Sequence, residues 1–207
     1  MKVLGVTGGI GSGKSYVCRK FAARGIPVYD SDSRTKELYN KNADLVSALA
    51  KLLGKDVVKI KGGKKVLDTK LMAAKIFSDE ALLEQVAQIV HPVVMQDFRR
   101  WRGARQRLAT LRKKEIPFVI LESAVILENP EVKRDTDFVA TVSSPLELRI
   151  ERVSKRDNTP RDAVLMRIAS QWSDSMREAE ADFTIQNAPG KNLERQIDRL
   201  YNKIKNL

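Results

Sequence analysis

The chain is predicted to take an α/β fold: a parallel sheet flanked by helices, with an inserted helical lobe and a helical lid. Three observations predict it. Short apolar runs that read as buried strands recur at residues 2–7, 26–29, 116–122, 137–142 and 183–185. Helical patterns separate them, as parallel pairing requires. The first strand also leads straight into Gly8-Gly9-Ile10-Gly11-Ser12-Gly13-Lys14-Ser15, which fits G-x-x-x-x-G-K-[ST] at every fixed position. That stretch makes the expected sheet P-loop NTPase-like.

Each element has its own justification. In the loop, glycines let successive backbone N–H groups converge on an anion, and the helix behind adds partial positive charge. Lys14 can reach the β- and γ-phosphates of a nucleoside triphosphate, and the Ser15 hydroxyl can ligate Mg²⁺. The helix of residues 15–24 is closed by Gly25. The second strand ends at Asp30-Ser31-Asp32. A carboxylate there can accept a proton from an attacking hydroxyl or bind Mg²⁺ through water, and all three residues are also good helix caps.

Residues 44–53 read as a helix stopped by Gly54, and residues 57–66 as a hairpin turning at Gly62-Gly63. Asp68 is a cap for a helix expected to run through Phe77, with Ser78-Asp79 starting the next. Leu82, Val86, Ile89, Val90, Val93 and Val94 keep helical spacing, and His91-Pro92 within them predicts a break or a new start. The block 33–114 is too long for an ordinary crossover, so it is expected to be a lobe contributing substrate contacts. His91 is the only histidine and lacks the spacing of a metal site.

The strand of residues 116–122 ends in Glu122, the carboxylate expected on the Mg²⁺ side. Ser144-Pro145-Leu146-Glu147 has the form of a capping box with Pro at the first helical position. The helix it opens carries Arg149, Arg152 and Arg156 at i, i+3 and i+7, on one face. Thr159-Pro160 opens another helix to about residue 172, and the cationic pair suggests a lid that closes over phosphates. Leu193, Ile197, Leu200, Tyr201 and Ile204 define a final amphipathic helix. The expected division is a nucleotide core of residues 1–32, 115–143 and 181–207, a lobe of 33–114 and a lid of 144–180.

A 43% hydrophobic and 31% charged composition suits a globular protein, and no apolar stretch is long enough for a membrane span. The first strand begins almost at once, so no signal peptide is expected. Cys18 is the single cysteine, expected to be buried, and a reducing, cytoplasmic setting follows as an expectation. The net charge of +12 is uneven. Arg99, Arg100, Arg102, Arg105, Arg107, Arg112, Lys113 and Lys114 follow one another without an acidic residue, interleaved with Trp101, Leu108 and Leu111. Such a run suits a polyanion or a solvated helix face.

Together these residues make the chain resemble the dephospho-CoA kinase family over nearly its whole length. The resemblance rests on Thr7 to Ser15, on Asp30-Ser31-Asp32 for the family's D-x-D, and on His91-Pro92 for its H-P motif. It continues in Ile126-Leu127-Glu128, in Arg152 with Lys155-Arg156-Asp157, and in Gln171, Ala181-Asp182, Ile185 and Asn187. It implies transfer of the γ-phosphate of ATP, with Mg²⁺, to the ribose 3′-hydroxyl of dephospho-CoA, the last step of CoA biosynthesis. It further implies an ATP site of Gly9, Ile10, Gly11, Ser12, Gly13, Lys14, Ser15, Tyr16 and Asn187. Catalysis would fall to Asp32 as general base with Lys14, Arg152 and Arg156, and acceptor binding to Asp32, Lys36 and His91. Ser15 and Glu122 would serve Mg²⁺, directly or through water. Ala124 and Val125 replace the family's Pro-Leu, Thr69 replaces an Arg, and Lys36 keeps the charge of the usual Arg but not its fork.

Two other readings use the same loop. A nucleotide or nucleoside kinase shares loop and lid, but the helical lobe and His91-Pro92 fit the first family. A nucleic-acid-stimulated NTPase would use the basic run at 99–114, yet no nucleic-acid module is recognisable and aromatic content is 6%.

Overall fold

The strand at the start of the chain becomes the middle of the sheet, and this placement positions everything else. The computed structural model describes residues 1–76, 79–113 and 115–207. The chain divides into two compact units, residues 1–29 with 101–207, and residues 30–100.

In the first unit β1 (Lys2–Thr7) leads through the glycine loop into α1 (Lys14–Ala23) and then β2 (Val28–Asp30), whose last residue opens the second unit. The second unit holds α2 (Ser31–Lys41), α3 (Ala43–Leu53), a short 3₁₀ turn, β3 (Val58–Lys61), β4 (Lys64–Leu67) and α4 (Thr69–Ile76). Helix α5 (Glu80–Leu111) carries the chain back. There follow β5 (Phe118–Glu122), α6 (Pro130–Lys133), β6 (Phe138–Ser143) and α7 (Leu146–Asp157). The chain ends with α8 (Arg161–Ala169), α9 (Asp174–Glu180), β7 (Phe183–Gln186) and α10 (Leu193–Asn206).

The sheet order is β2-β5-β1-β6-β7, and β1 pairs in parallel with both β5 and β6. Every residue of β5 is buried, as a strand covered on both faces must be. The core joins Leu4, Val6, Phe118, Ile120, Ala140 and Val142 of the sheet to Val17, Cys18 and Phe21 of α1 and Ile197, Leu200 and Ile204 of α10. Phe21 meets Phe118 edge-on at 6.1 Å between ring centroids. Cys18 is 2% exposed, so the expected buried thiol is found.

In the second unit, local side chains set the helix starts. Asp30 Oδ1 accepts from the Ser33 backbone N–H at 3.1 Å and Asn42 Oδ1 from that of Leu45 at 3.0 Å. Asp68 Oδ1 does the same for Lys70 and Leu71, as expected. β3 and β4 pair antiparallel across Gly62-Gly63, both at positive φ.

Three expectations need correction. Helix α5 does not break at His91-Pro92; Pro92 lies inside it. Val86, Val90, Val94, Met95 and Phe98 are buried at helical spacing on both sides, and that packing outweighs the roughly 3 kcal/mol that an interior proline costs. The capping box at α7 does not form, since the cap position is Pro145 and carries no side-chain bond. Ser144 Oγ instead donates to the Asn187 carbonyl at 2.9 Å and accepts from Arg152 Nη1 at 3.1 Å. The helix expected to reach residue 172 ends at Ala169, and Ser173 caps α9 by accepting from Met176 N–H at 3.1 Å. The boundary expected at Phe77-Ser78, and Lys114 of the basic run, lie outside the described residues.

Because Asp30 is a cap, Asp30→Ala is expected to cost about 1 kcal/mol and to lower Tm by about 2–4 °C, with Asp30→Asn close to unchanged. Thermal unfolding followed by circular dichroism checks this.

Candidate active site

Glu122 reaches the loop because β5 is register-locked to β1: Val6 pairs with Glu122, and Ser123 N–H continues the ladder to Val6 O at 3.1 Å. Its carboxylate, on a residue 7% exposed, accepts a 2.6 Å hydrogen bond from Ser15 Oγ at the start of α1. A hydroxyl and a carboxylate held this closely form a hard oxygen pair of the kind Mg²⁺ takes. No cluster of three or more His, Cys, Asp or Glu that could hold a metal exists among the described residues, so the remaining ligands would come from substrate phosphates and water.

The loop curls on itself through Ser12 N–H to Gly9 O at 3.1 Å, and α1 begins behind Gly13. Lys14 Nζ donates to Gly8 O at 2.8 Å, lying along the loop that would cradle a phosphate. Asn187 follows β7, whose pairing with β6 continues as Asn187 N–H to Ser143 O at 2.8 Å. Its Nδ2 donates to Ser12 O at 2.8 Å, so this expected ATP-site residue braces the loop directly. Ser12 Oγ is buried without a hydrogen-bond partner. Tyr16 is 44% exposed, with Arg19 and Lys20 over its ring at 5.7 and 5.3 Å.

The three arginines of α7 have different surroundings. Arg149, which was not among the expected site residues, is buried; its Nε donates to Ile10 O at 2.9 Å and its Nη1 pairs with Asp174 at 2.7 Å. Arg152 Nη1 lies 3.3 Å from Gly11 O and 3.1 Å from Ser144 Oγ, so it faces the loop. Arg156 does not join them: it is exposed and its fork binds Asp157 at 2.7 and 3.0 Å. The hydrogen bond from Arg156 holds the Asp157 carboxyl below its usual range, with Arg167 adding to it.

Gln171 touches the loop as well, its Oε1 accepting from Ile10 N–H at 2.9 Å. Spacing alone gave it no role, although it was among the residues carrying the family resemblance. Glu128, another of these, binds the buried Arg177 at 2.6 Å. In the second unit Asp32 is exposed on the first turn of α2, Lys36 is exposed one turn on, and His91 is half-buried in α5. There the capping role among the Asp30-Ser31-Asp32 trio has gone to Asp30.

Comparison with known proteins agrees with this geometry. The family model for dephospho-CoA kinase matches residues 2–192. The dephospho-CoA kinase of Porphyromonas gingivalis is 37% identical over 99% of this chain and 95% of its own. A Thermus thermophilus crystal structure superposes with TM-score 0.71 at 28% identity, covering 98% of this chain and 95% of that one. At 18% identity, where only the fold is shared, the dephospho-CoA kinase of Campylobacter jejuni gives a TM-score of 0.57 over 98% and 97% of the two chains. The sheet is P-loop NTPase-like, the activity is that of a kinase with ATP as co-substrate, and the chain belongs to the dephospho-CoA kinase family.

Proposed function

We propose that the chain transfers the γ-phosphate of Mg-ATP to the ribose 3′-hydroxyl of dephospho-CoA, giving CoA and ADP. The observation that carries this is the Ser15–Glu122 hydrogen bond at the mouth of a complete phosphate loop, in a chain of this family. Bound there by Ser15 and Glu122, directly or through water, Mg²⁺ would neutralise charge on the β- and γ-phosphates. The protein's own residues do the rest. Residues Gly9 to Tyr16 form the ATP site, the amides not bonded within the protein orienting the phosphates; Asn187 braces the loop, and Lys14 leaves its carbonyl partner to meet the transferring group. Arg152 supplies positive charge from the loop side, and Arg156 joins it only by leaving Asp157.

Asp32 is the general base in this reading, and Lys36 and His91 bind the acceptor. Support comes from the position of Asp32 just after β2 and from Asp30 holding the cap, which leaves the Asp32 carboxylate clear of that duty. Cys18, buried and single, suits a reducing compartment such as the cytoplasm, and no described helix is long and apolar enough to cross a membrane. The purified protein with Mg-ATP, offered dephospho-CoA, AMP, nucleosides and single-stranded DNA in parallel, should release ADP with dephospho-CoA alone and add one phosphate to its mass. ADP release tied to AMP, or stimulated by DNA, overturns the assignment.

Lys14→Ala is expected to leave Tm within a few degrees and to abolish nearly all turnover, because it removes charge from the transferring group rather than packing from the core. Asp32→Asn keeps size but cannot take the proton, so kcat should fall about 10²–10⁴-fold with ATP affinity intact, while Asp30→Asn stays near wild type. Arg152→Ala should lower kcat more than it weakens ATP binding, with Arg156→Ala following the same pattern, as initial rates over a matrix of both substrates would show.

A further inference from the structure

The phosphate loop is held at one residue, on the two peptides that flank its Cα. Ile10 N–H donates to Gln171 Oε1 and Ile10 O accepts from Arg149 Nε, each at 2.9 Å. Neither partner is casual. Arg149 is 4% exposed, and its Nη1 is fixed at 2.7 Å by Asp174 in the first turn of α9. Asp174 in turn lies 3.8 Å from Arg177, 1% exposed, whose Nη2 binds Glu128 at 2.6 Å. The remaining nitrogen of the Arg149 fork, Nη2, is buried without a hydrogen-bond partner and lies so close to Gly9 that a Cβ there would clash with it. A buried guanidinium with one nitrogen unpartnered is a poor way to gain stability, since an apolar side chain of that volume would serve as well. What it achieves is geometric.

We propose that Gln171 and Arg149 are positioning residues that clamp the backbone of Ile10, Gln171 at the Gly9–Ile10 peptide and Arg149 at the Ile10–Gly11 peptide, and thereby set the loop's affinity for nucleotide phosphates; the proposal rests on the kinase reading above. The residue after the clamp, Gly11, stands at φ +78, a region open to glycine at little cost. With the two peptides flanking Ile10 free to rotate, Gly11 would sample its other conformations, and the N–H groups that follow would lose their common focus. Binding would then have to order the loop at the expense of affinity. The clamp removes that cost in advance. It also ties the loop's shape to Gln171, between α8 and α9, and to Asp174 at the start of α9. The side chain of Ile10 completes the arrangement by packing on Ile150, Val153 and Val164 of α7 and α8.

Two variants separate the clamp from mere packing. Gln171→Met keeps the length but removes the acceptor; Arg149→Lys keeps the charge but cannot serve Ile10 O and Asp174 together. For each, KM for ATP is expected to rise about tenfold or more, a loss of about 1.4 kcal/mol, while KM for dephospho-CoA and kcat at saturating ATP stay within about twofold. Hydrogen exchange of the Ile10 amide, followed by NMR without nucleotide, should accelerate about tenfold or more in Gln171→Met, with the amides of β5 unchanged. An unchanged KM for ATP, an unchanged Ile10 exchange rate, or both KM values rising together with a fall in Tm would each overturn the proposal. Should the wild-type protein fail to phosphorylate dephospho-CoA, the kinase reading falls, while the exchange measurement still decides the clamp.

Discussion

The parallel register of β1 against β5 is the constraint on which the site depends. A strand's side chains alternate between faces, so a slip of one residue would turn Glu122 away from the side where Ser15 meets it. The pairing is secured by residues with no part in chemistry: Val3, Leu4, Val119, Ile120 and Leu121 have no exposed surface. Burial on both faces gives that register a high cost of error, and the 2.6 Å Ser15–Glu122 contact inherits its precision from it. The same holds on the other side of β1, where pairing with β6 and then β7 delivers Ser144 and Asn187 to the loop.

The arginines of α7 show how one helix face can hold three environments. Arg149, Arg152 and Arg156 share a face, but each turn moves a residue about 5.4 Å along the axis. The first turn abuts the loop and is sealed by α9, so Arg149 is buried and paired with Asp174. The second reaches loop carbonyls from a half-buried position. By the last turn the helix has passed the loop, and Arg156 turns to its neighbour Asp157, itself shared with Arg167. Spacing identifies the face; depth along the axis decides what each charge does.

Much of this was legible in the sequence, and the rest failed for identifiable reasons. The loop, the five strands and the residues flanking β5 follow from local pattern and motif, because buried strands and glycine loops carry their signals in adjacent residues. The continuity of α5 is not legible locally, because Pro92 is a breaker within its own turn, whereas the burial pattern that overrides it extends for several turns on either side. Ser144 has the local form of a cap, but its partners, Asn187 and Arg152, lie 43 and 8 residues away. Arg149 and Gln171 went unassigned for the same reason: their contacts with Ile10 span 139 and 161 residues, a distance at which no spacing rule applies.

The single thiol carries a consequence of its own. Cys18 sits on the inner face of α1, packed with Val17 and Phe21 against the sheet, and only 2% of it meets solvent. While α1 stays docked, a thiol reagent has nothing to attack, and oxidation has no second cysteine in the chain to join. The rate at which such a reagent consumes the thiol therefore counts the openings of the helix that holds the phosphate loop. One atom, already in place, serves as a clock for the breathing of the nucleotide site.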